Sequence, residues 1–214
     1  MLKVASFTFN PFQENTYVVH NGQQGILIDP GCWNTAEERE LEAWFHENGI
    51  APVRLVLTHA HIDHVMGCAW AHKALGLLPE LHRADLSLLR AAPRQGQMYG
   101  VPCEPSPEPE RFIEAGSRIA LGDDALRVLF VPGHAPGHTA LFSEGERFVI
   151  AGDTLFRDSI GRTDLPGGDT ETLLSSIREQ LFPLGDDVTV YSGHGPETTI
   201  GRERRSNPFL RERG

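Results

Sequence analysis

The stretch LTHAHIDHVMG, residues 57–67, constrains this chain more than any other part of its sequence. It places three histidines and one aspartate within six positions: His59, His61, Asp63 and His64. Neutral imidazole and carboxylate are ligands that divalent zinc, iron and manganese accept. Side chains two positions apart in extended backbone point the same way, so His59 and His61 can hold one ion together. The stretch therefore predicts part of a metal centre.

One loop does not complete two metal shells, so the remaining ligands must come from elsewhere. Three later stretches follow predicted strands and lead into turns: VPGHAPGHT, AGDTLF and SGHGP. They contribute His134 or His138, then Asp153, then His194. Strand ends that feed glycine-rich loops are where α/β folds usually build their sites.

The simplest assignment fills two metal sites that share one carboxylate. The groups are His59, His61 and His134; Asp63, His64 and His194; and Asp153 bridging them. Asp63 and Asp153 are also the candidate catalytic residues. Two divalent ions held in this way would convert a shared water to hydroxide near neutral pH. Zinc is the favoured metal, and iron and manganese stay open because the ligand types suit all three.

Two further residues are predicted to support the ligands rather than to bind metal. His134 is preferred as the ligand of its loop, and His138 is placed behind it. Asp29 ends the strand in GILID, where it either forms a turn or holds a ligating imidazole in the required tautomer. A plain helix N-cap is the alternative for Asp63. Isolated histidines are predicted to be core or surface residues: His20, His46, His72 and His82.

Hydrophobic periodicity predicts clusters of short strands, each followed by a helix. Thr35 and Glu38 form a capping box for a helix that ends at Gly49, and a second helix ends at Gly76. Because five prolines fall within residues 93–116, no long regular element is expected there.

The segment DTETLLSSIREQLF predicts a helix with Leu174, Ile177 and Leu181 on one face. The alternation of strands and helices favours a layered α/β protein with mixed sheets.

Composition indicates one globular domain over residues 1–214, with 40% hydrophobic and 22% charged residues. A net charge of −10 disfavours nucleic acid and anionic membranes as partners. The three cysteines are predicted to be buried or half-buried thiols. Neither a signal peptide nor an apolar run of about 18 residues is visible, so a cytoplasmic location is expected.

The ligand pattern resembles the metal-binding signature of the metallo-β-lactamase superfamily, and the resemblance extends from LIDPG through NPFL. It implies an αββα sandwich of two mixed β-sheets flanked by helices, with the metals at one edge. GDTLFRDSIGRTDLPGGD and the C-terminal LFPLGDDVTVYSGHGPETTIGRERRSNPFL look most like glyoxalase II, the hydroxyacylglutathione hydrolases, in their short bacterial form.

That resemblance implies hydrolysis of S-D-lactoylglutathione to D-lactate and glutathione by a metal-bridging hydroxide. The chain departs from the longer enzymes in three places. Only 20 residues follow His194, so their C-terminal helical domain is expected to be missing. Pro196 stands where they carry a tyrosine, and Arg162 stands where they carry a substrate-binding lysine. Arginine still suits a carboxylate, so Arg162 is the candidate substrate-binding residue.

Other chemistries on the same scaffold remain open. GRTD (161–164) also resembles the persulfide dioxygenases, which hold a single iron on residues equivalent by motif to His59, His134 and Asp153. A lactonase would need the same ligand set, and a metal-binding module without catalytic activity is the non-enzymatic alternative. The expected partner is a small thioester, glutathione-derived by resemblance. The oligomeric state and the role of the arginines in GRERRS stay open.

Overall fold

Two six-stranded sheets form the centre of the computed structural model, which describes residues 1–211. The first sheet contains, in spatial order, β1 (Lys3–Phe9), β2 (Glu14–His20), β3 (Gln24–Ile28), β4 (Ala51–Val56), β5 (Pro79–Leu81) and β6 (Arg111–Phe112). The pairs β1–β2 and β2–β3 are antiparallel, and the pairs from β3 to β6 are parallel. The sheet is therefore mixed.

The second sheet is also mixed. Its strands are β7 (Arg118–Leu121), β8 (Asp124–Phe130), β9 (Thr139–Ser143), β10 (Phe148–Gly152), β13 (Thr189–Ser192) and β14 (Thr198–Thr199). The spatial order is β14-β13-β10-β9-β8-β7, with β10 and β13 parallel and the other neighbours antiparallel. A separate two-stranded ribbon follows β10: β11 (Leu155–Phe156) and β12 (Ser159–Ile160).

Helices lie on the outer faces of both sheets. They are α1 (Thr35–Asn48), α2 (Ile62–Val65), α3 (Cys68–Leu75), α4 (Leu86–Tyr99), α5 (Thr170–Ser176) and α6 (Ile200–Ser206). A π-helical turn continues α5, and short 3₁₀ turns precede α4 and follow the π turn. Within the described part of the chain, none of the helices is long and apolar enough to cross a membrane.

Three apolar layers hold these elements together. Ile28 and Val56 of the first sheet pack in one buried cluster with Leu141 and Ile150 of the second sheet. A second cluster joins the first sheet to helices α1, α3 and α4, and a third joins the second sheet to α5 and α6. This is the predicted αββα sandwich. The thiols also follow prediction: all are free, two buried and one half-buried.

Helix α1 ends at Gly49 as predicted, but its capping residue differs from the prediction. Asn34, not Thr35, is the N-cap, and its side chain accepts hydrogen bonds from the backbone N–H of Ala36 and Glu37. Asparagine and threonine are both good caps, and the backbone turns from extended to helical one residue earlier than expected.

Helix α4 corrects the prediction that residues 93–116 lack a long regular element. The helix runs through Pro93 and ends at Gly100, which adopts a left-handed conformation with φ 70°. Leu89, Ala92 and Gly96 are buried along it, and we infer that this packing offsets the backbone hydrogen bond that Pro93 removes. Irregular chain begins only after Gly100 and reaches β6.

The buried face of α5 also differs by one residue from the prediction. Leu173, Ile177 and Leu181 are fully buried at a spacing of four, whereas Leu174 is half-buried. The π-helical turn from Ile177 to Leu181 continues the same face toward the second sheet.

Candidate metal centre

Four loops meet at one edge of the two sheets, and each follows the carboxyl end of a strand. The histidine cluster follows β4, the loop with His134 and His138 joins β8 to β9, Asp153 follows β10 and His194 follows β13. All seven predicted ligands are thereby brought together. The helix α2 begins at Ile62 directly after His61, so Asp63 and His64 leave the strand direction as expected.

The first predicted group is tight and buried. His61 Nδ1 lies 2.8 Å from His134 Nε2, which lies 3.2 Å from His59 Nε2. These residues form one of the clusters whose ligand atoms are close enough to share an ion.

The second predicted group is also close enough to share an ion. His194 Nε2 lies 3.1 Å from Asp63 Oδ2, and His64 Nε2 lies 3.8 Å from the same oxygen. Asp63 is not the N-cap of α2, since that position is His61 and its side chain makes no capping bond.

Asp153 lies between the two groups. Its Oδ2 is 3.5 Å from His134 Nε2 and 3.6 Å from His194 Nε2, and its Oδ1 is 3.4 Å from His64 Nε2. One carboxylate therefore contacts ligand atoms of both groups, as a bridging residue must.

The hydrogen bonds of Nδ1 in His59 and His64 determine whether the Nε2 atoms that face the site carry a proton. His64 Nδ1 donates to Asp29 Oδ2 at 3.1 Å. Thr58 Oγ1 donates to the same carboxylate at 2.6 Å, so it can accept from His59 Nδ1 at 3.1 Å. Because a neutral imidazole carries one N–H, the Nε2 atoms of His59 and His64 are left with free lone pairs.

Backbone carbonyls accept hydrogen bonds from Nδ1 of two more imidazoles and so leave their Nε2 lone pairs free. His134 Nδ1 donates to the carbonyl of Arg162 at 2.7 Å, and His194 Nδ1 faces the carbonyls of Phe12 and Gln13 at 3.1 and 3.2 Å. Four lone pairs therefore point inward at one another and at two carboxylates.

Unpaired buried atoms at the same place fit a bound cation. His64 Nε2 and Asp153 Oδ1 are fully buried and have no hydrogen-bond partner among residues 1–211. Buried polar atoms without partners cost free energy unless something compensates them. Divalent metal ions would satisfy both atoms, and the donor set of imidazoles and carboxylates suits them.

The pKa values of the histidines shift in opposite directions in the two groups. Burial and the neighbouring imidazoles lower the pKa of His59 far below its usual value, and they lower the pKa of His61 to about 4. Burial opposes charge on His64 as well, but Asp153 and Asp63 raise its pKa well above the usual value. The carboxylates thus attract positive charge to this point.

His138 supports the bridging carboxylate. Its Nε2 accepts a hydrogen bond from the backbone N–H of Asp153 at 3.0 Å, and its ring stacks on His59 with centroids 4.6 Å apart. Since that nitrogen is occupied, it has no free lone pair for an ion, and the supporting role of His138 stays a prediction. Asp29 lies at a left-handed φ of 48° and accepts from His64 Nδ1, which is the contact that the tautomer role needs, and that role stays a prediction.

Three supporting residues escaped sequence reasoning. Thr58 links Asp29 to His59, and its position directly before the cluster was the only available signal. Asp85 is buried and accepts from the backbone N–H of Ala60 and Gly137, so it ties two ligand loops together. Burial raises its pKa to about 6.

Glu14 is the third of these residues. It is fully buried, and its Oε1 lies 3.7 Å from His64 Nδ1. It begins β2, whose residues are nearly all buried, and no sequence signal pointed to a charge there.

A cavity of about 690 Å³ opens in front of the centre. His61, Asp63, Asp153 and His194 form its floor, and Arg162 lies on its wall. The three arginines of α6 are engaged elsewhere: they pair with Asp158 and Asp186.

An αββα sandwich that gathers five imidazoles and two carboxylates at the carboxyl ends of its strands defines a metallohydrolase. The family model of the metallo-β-lactamase superfamily matches residues 9–194, and the chain belongs to that superfamily.

Relatives in this superfamily cover nearly the whole chain. The hydroxyacylglutathione hydrolase GloC of Haemophilus influenzae is 38% identical over 93% of this chain and 93% of its own length. The crystal structure of TTHA1623 in a di-iron-bound form is 42% identical, with a TM-score of 0.88 over 96% of this chain and 100% of that one. The B3 metallo-β-lactamase BLEG-1 is 32% identical, with a TM-score of 0.89 over 97% and 99%.

Proposed function

We propose that this protein is a thioester hydrolase of the glyoxalase II type, which cleaves S-D-lactoylglutathione to D-lactate and glutathione. One observation carries the proposal: four imidazoles are fixed with inward lone pairs around two carboxylates, in two adjacent groups. Such an arrangement is prepared for two cations and would be costly without them.

The proposed ligands are those that the sequence predicts. His59, His61 and His134 would hold one ion, Asp63, His64 and His194 would hold the other, and Asp153 would be shared between them. Zinc or iron fits this donor set. Similarity to a protein crystallised in a di-iron form supports iron, and the imidazole-rich shell supports zinc equally well.

Bound ions would supply a low pKa for a shared water and polarise the thioester carbonyl. The side chains of the protein would hold the ions in position and accept or donate the protons of the reaction. Asp63 lines the cavity, and its carboxylate would accept the proton that a water loses there. Addition of water across the C–S bond yields the acid and the thiol, so no serine or cysteine nucleophile is required.

Similarity to a protein named hydroxyacylglutathione hydrolase supports the thioester as substrate. A persulfide dioxygenase with one iron and a lactonase are the alternatives, because both use ligands of the same types. Arg162 is proposed as a substrate contact because it lines the cavity and its backbone carbonyl fixes His134.

Metal content and activity of the purified protein test this proposal together. We expect about two metal ions per chain, as a centre with one bridging carboxylate requires, together with hydrolysis of S-D-lactoylglutathione. One iron per chain with oxygen uptake on glutathione persulfide would identify a dioxygenase instead. Two metals with hydrolysis of lactones but not thioesters would identify a lactonase.

A further inference from the structure

The cavity in front of the candidate centre is bordered by apolar side chains that the chain exposes to solvent. Phe12, Met98 and Tyr99 all line it, and Met98 is 76% exposed. The rings of Phe12 and Tyr99 meet edge-on with centroids 6.0 Å apart. Exposed apolar side chains gathered at one opening indicate a binding surface.

This surface continues into the cavity toward the metal ligands. Ile62 and Leu88 line one side, and Phe156, Ile160 and Leu165 come from the ribbon and the loop after it. A volume of about 690 Å³ is that of a small-molecule site, and such sites are mainly apolar with a few polar groups. The polar groups here are concentrated at the metal ligands.

The charge at the cavity wall is largely compensated within the protein. Among the described residues lining the cavity, Arg162 is the only lysine or arginine. Its Nε and Nη2 donate to the two carboxylate oxygens of Asp164, both at 2.7 Å. Two of the five N–H donors of the guanidinium are thereby engaged, and a substrate carboxylate that binds the remaining ones would lie close to the negative charge of Asp164.

We propose that this centre selects its substrates by an apolar group, bound against Phe12, Met98 and Tyr99, rather than by substrate carboxylates. The inference rests on the proposed thioester chemistry and names the substrate class: thioesters that carry an apolar acyl group. S-D-lactoylglutathione, whose acyl group is short and carries a hydroxyl, is then a poorer substrate than glutathione thioesters of longer apolar acyl groups, and the two carboxylates of glutathione contribute little to binding.

Binding of n-alkyl hydroxamates to the metal-loaded protein tests the inference without turnover. The hydroxamate head group chelates the metal and stays constant from acetohydroxamate to octanohydroxamate. Since each buried methylene changes affinity about fourfold, Kd should fall by that factor per methylene until the surface is filled. Calorimetry measures each Kd.

Two variants and a control locate the effect. Met98→Ser should flatten the dependence on chain length, whereas Phe209→Ser, an exposed side chain outside the cavity, should leave it unchanged. Met98→Lys adds a cation at the opening and should tighten binding of succinic monohydroxamate, which carries a carboxylate.

Turnover of matched thioesters separates this inference from the proposed function. Glutathione and N-acetylcysteamine thioesters of one acyl group should differ in kcat/KM by at most about fivefold, the limit for an exposed ion pair. A Kd that does not change with chain length would overturn the inference, as would a preference for glutathione above about tenfold. If the hydroxamates show the dependence but no thioester is cleaved, the proposed function fails and apolar selection stands.

Discussion

Replacing Asp29 by asparagine should weaken metal binding without disturbing the backbone. Asparagine has the same shape and tolerates the left-handed φ of 48° at this position. The carboxylate of Asp29 accepts from Thr58 N, Thr58 Oγ1 and His64 Nδ1 at 2.7, 2.6 and 3.1 Å. In asparagine an NH₂ group replaces Oδ2, the oxygen that accepts from Thr58 Oγ1 and His64 Nδ1, and an NH₂ group cannot accept those hydrogen bonds.

The consequence falls on the tautomer of His64. Facing an amide N–H, its ring either loses the bond or moves its proton to Nε2, and that proton occupies the lone pair required for metal binding. Loss of such a supporting partner typically lowers metal affinity by about 10- to 100-fold, which corresponds to about 1.4–2.7 kcal/mol.

Chelator competition measures this loss at each of the two sites. Asp187→Asn is the matched control, since Asp187 is exposed and pairs with Arg147 away from the centre. Unfolding of both variants without metal separates general destabilisation from the metal effect. If Asp29→Asn binds both ions as tightly as the control, the tautomer argument is wrong.

Four further predictions concern the centre and the core. Asp153→Ala should lose metal and turnover; a fully active variant with two ions would refute the bridging assignment. Gly193→Ala should also lose metal, because a Cβ there would lie 2.1 Å from Asp153 Oδ1, whereas Gly145→Ala, with open space around it, should not. Metal affinity should fall as the pH drops below the raised pKa of His64, because the metal must then displace a proton from the imidazole. For each proton displaced, the expected fall is about tenfold per pH unit, and metal titrations at several pH values measure it. Ile150→Ala, fully buried between the sheets, should lower the free energy of unfolding by about 2–5 kcal/mol in denaturant titrations.

The residues at the site were the most predictable part of this protein. His59 and His61 share an extended stretch, and the other candidates follow strands or begin a helix, so local geometry was enough to anticipate their directions. The structure brings them together as expected. Their roles as ligands and the single domain over residues 1–214 stay predictions.

Helix positions were less predictable where packing competes with local preference. Pro93 argued against a helix, but burial of Leu89, Ala92 and Gly96 comes from contacts that sequence spacing does not reveal. The capping residue of α1 and the buried face of α5 each shifted by one residue. Such shifts arise because two neighbouring residues can satisfy the same local rule, and tertiary contacts choose between them.

The sequence by itself determined which ligand types are present and which strand ends carry them. Only the tertiary structure decided which nitrogen of each imidazole faces inward, since that depends on the partner of the other nitrogen. Those partners are distant in sequence: Asp29 lies 35 residues from His64, the Arg162 carbonyl 28 from His134, and the Gln13 carbonyl 181 from His194. No local pattern encodes such pairs, because each exists only after segments distant in the chain have packed together, and the pair of Gln13 and His194 also needs the two sheets to meet.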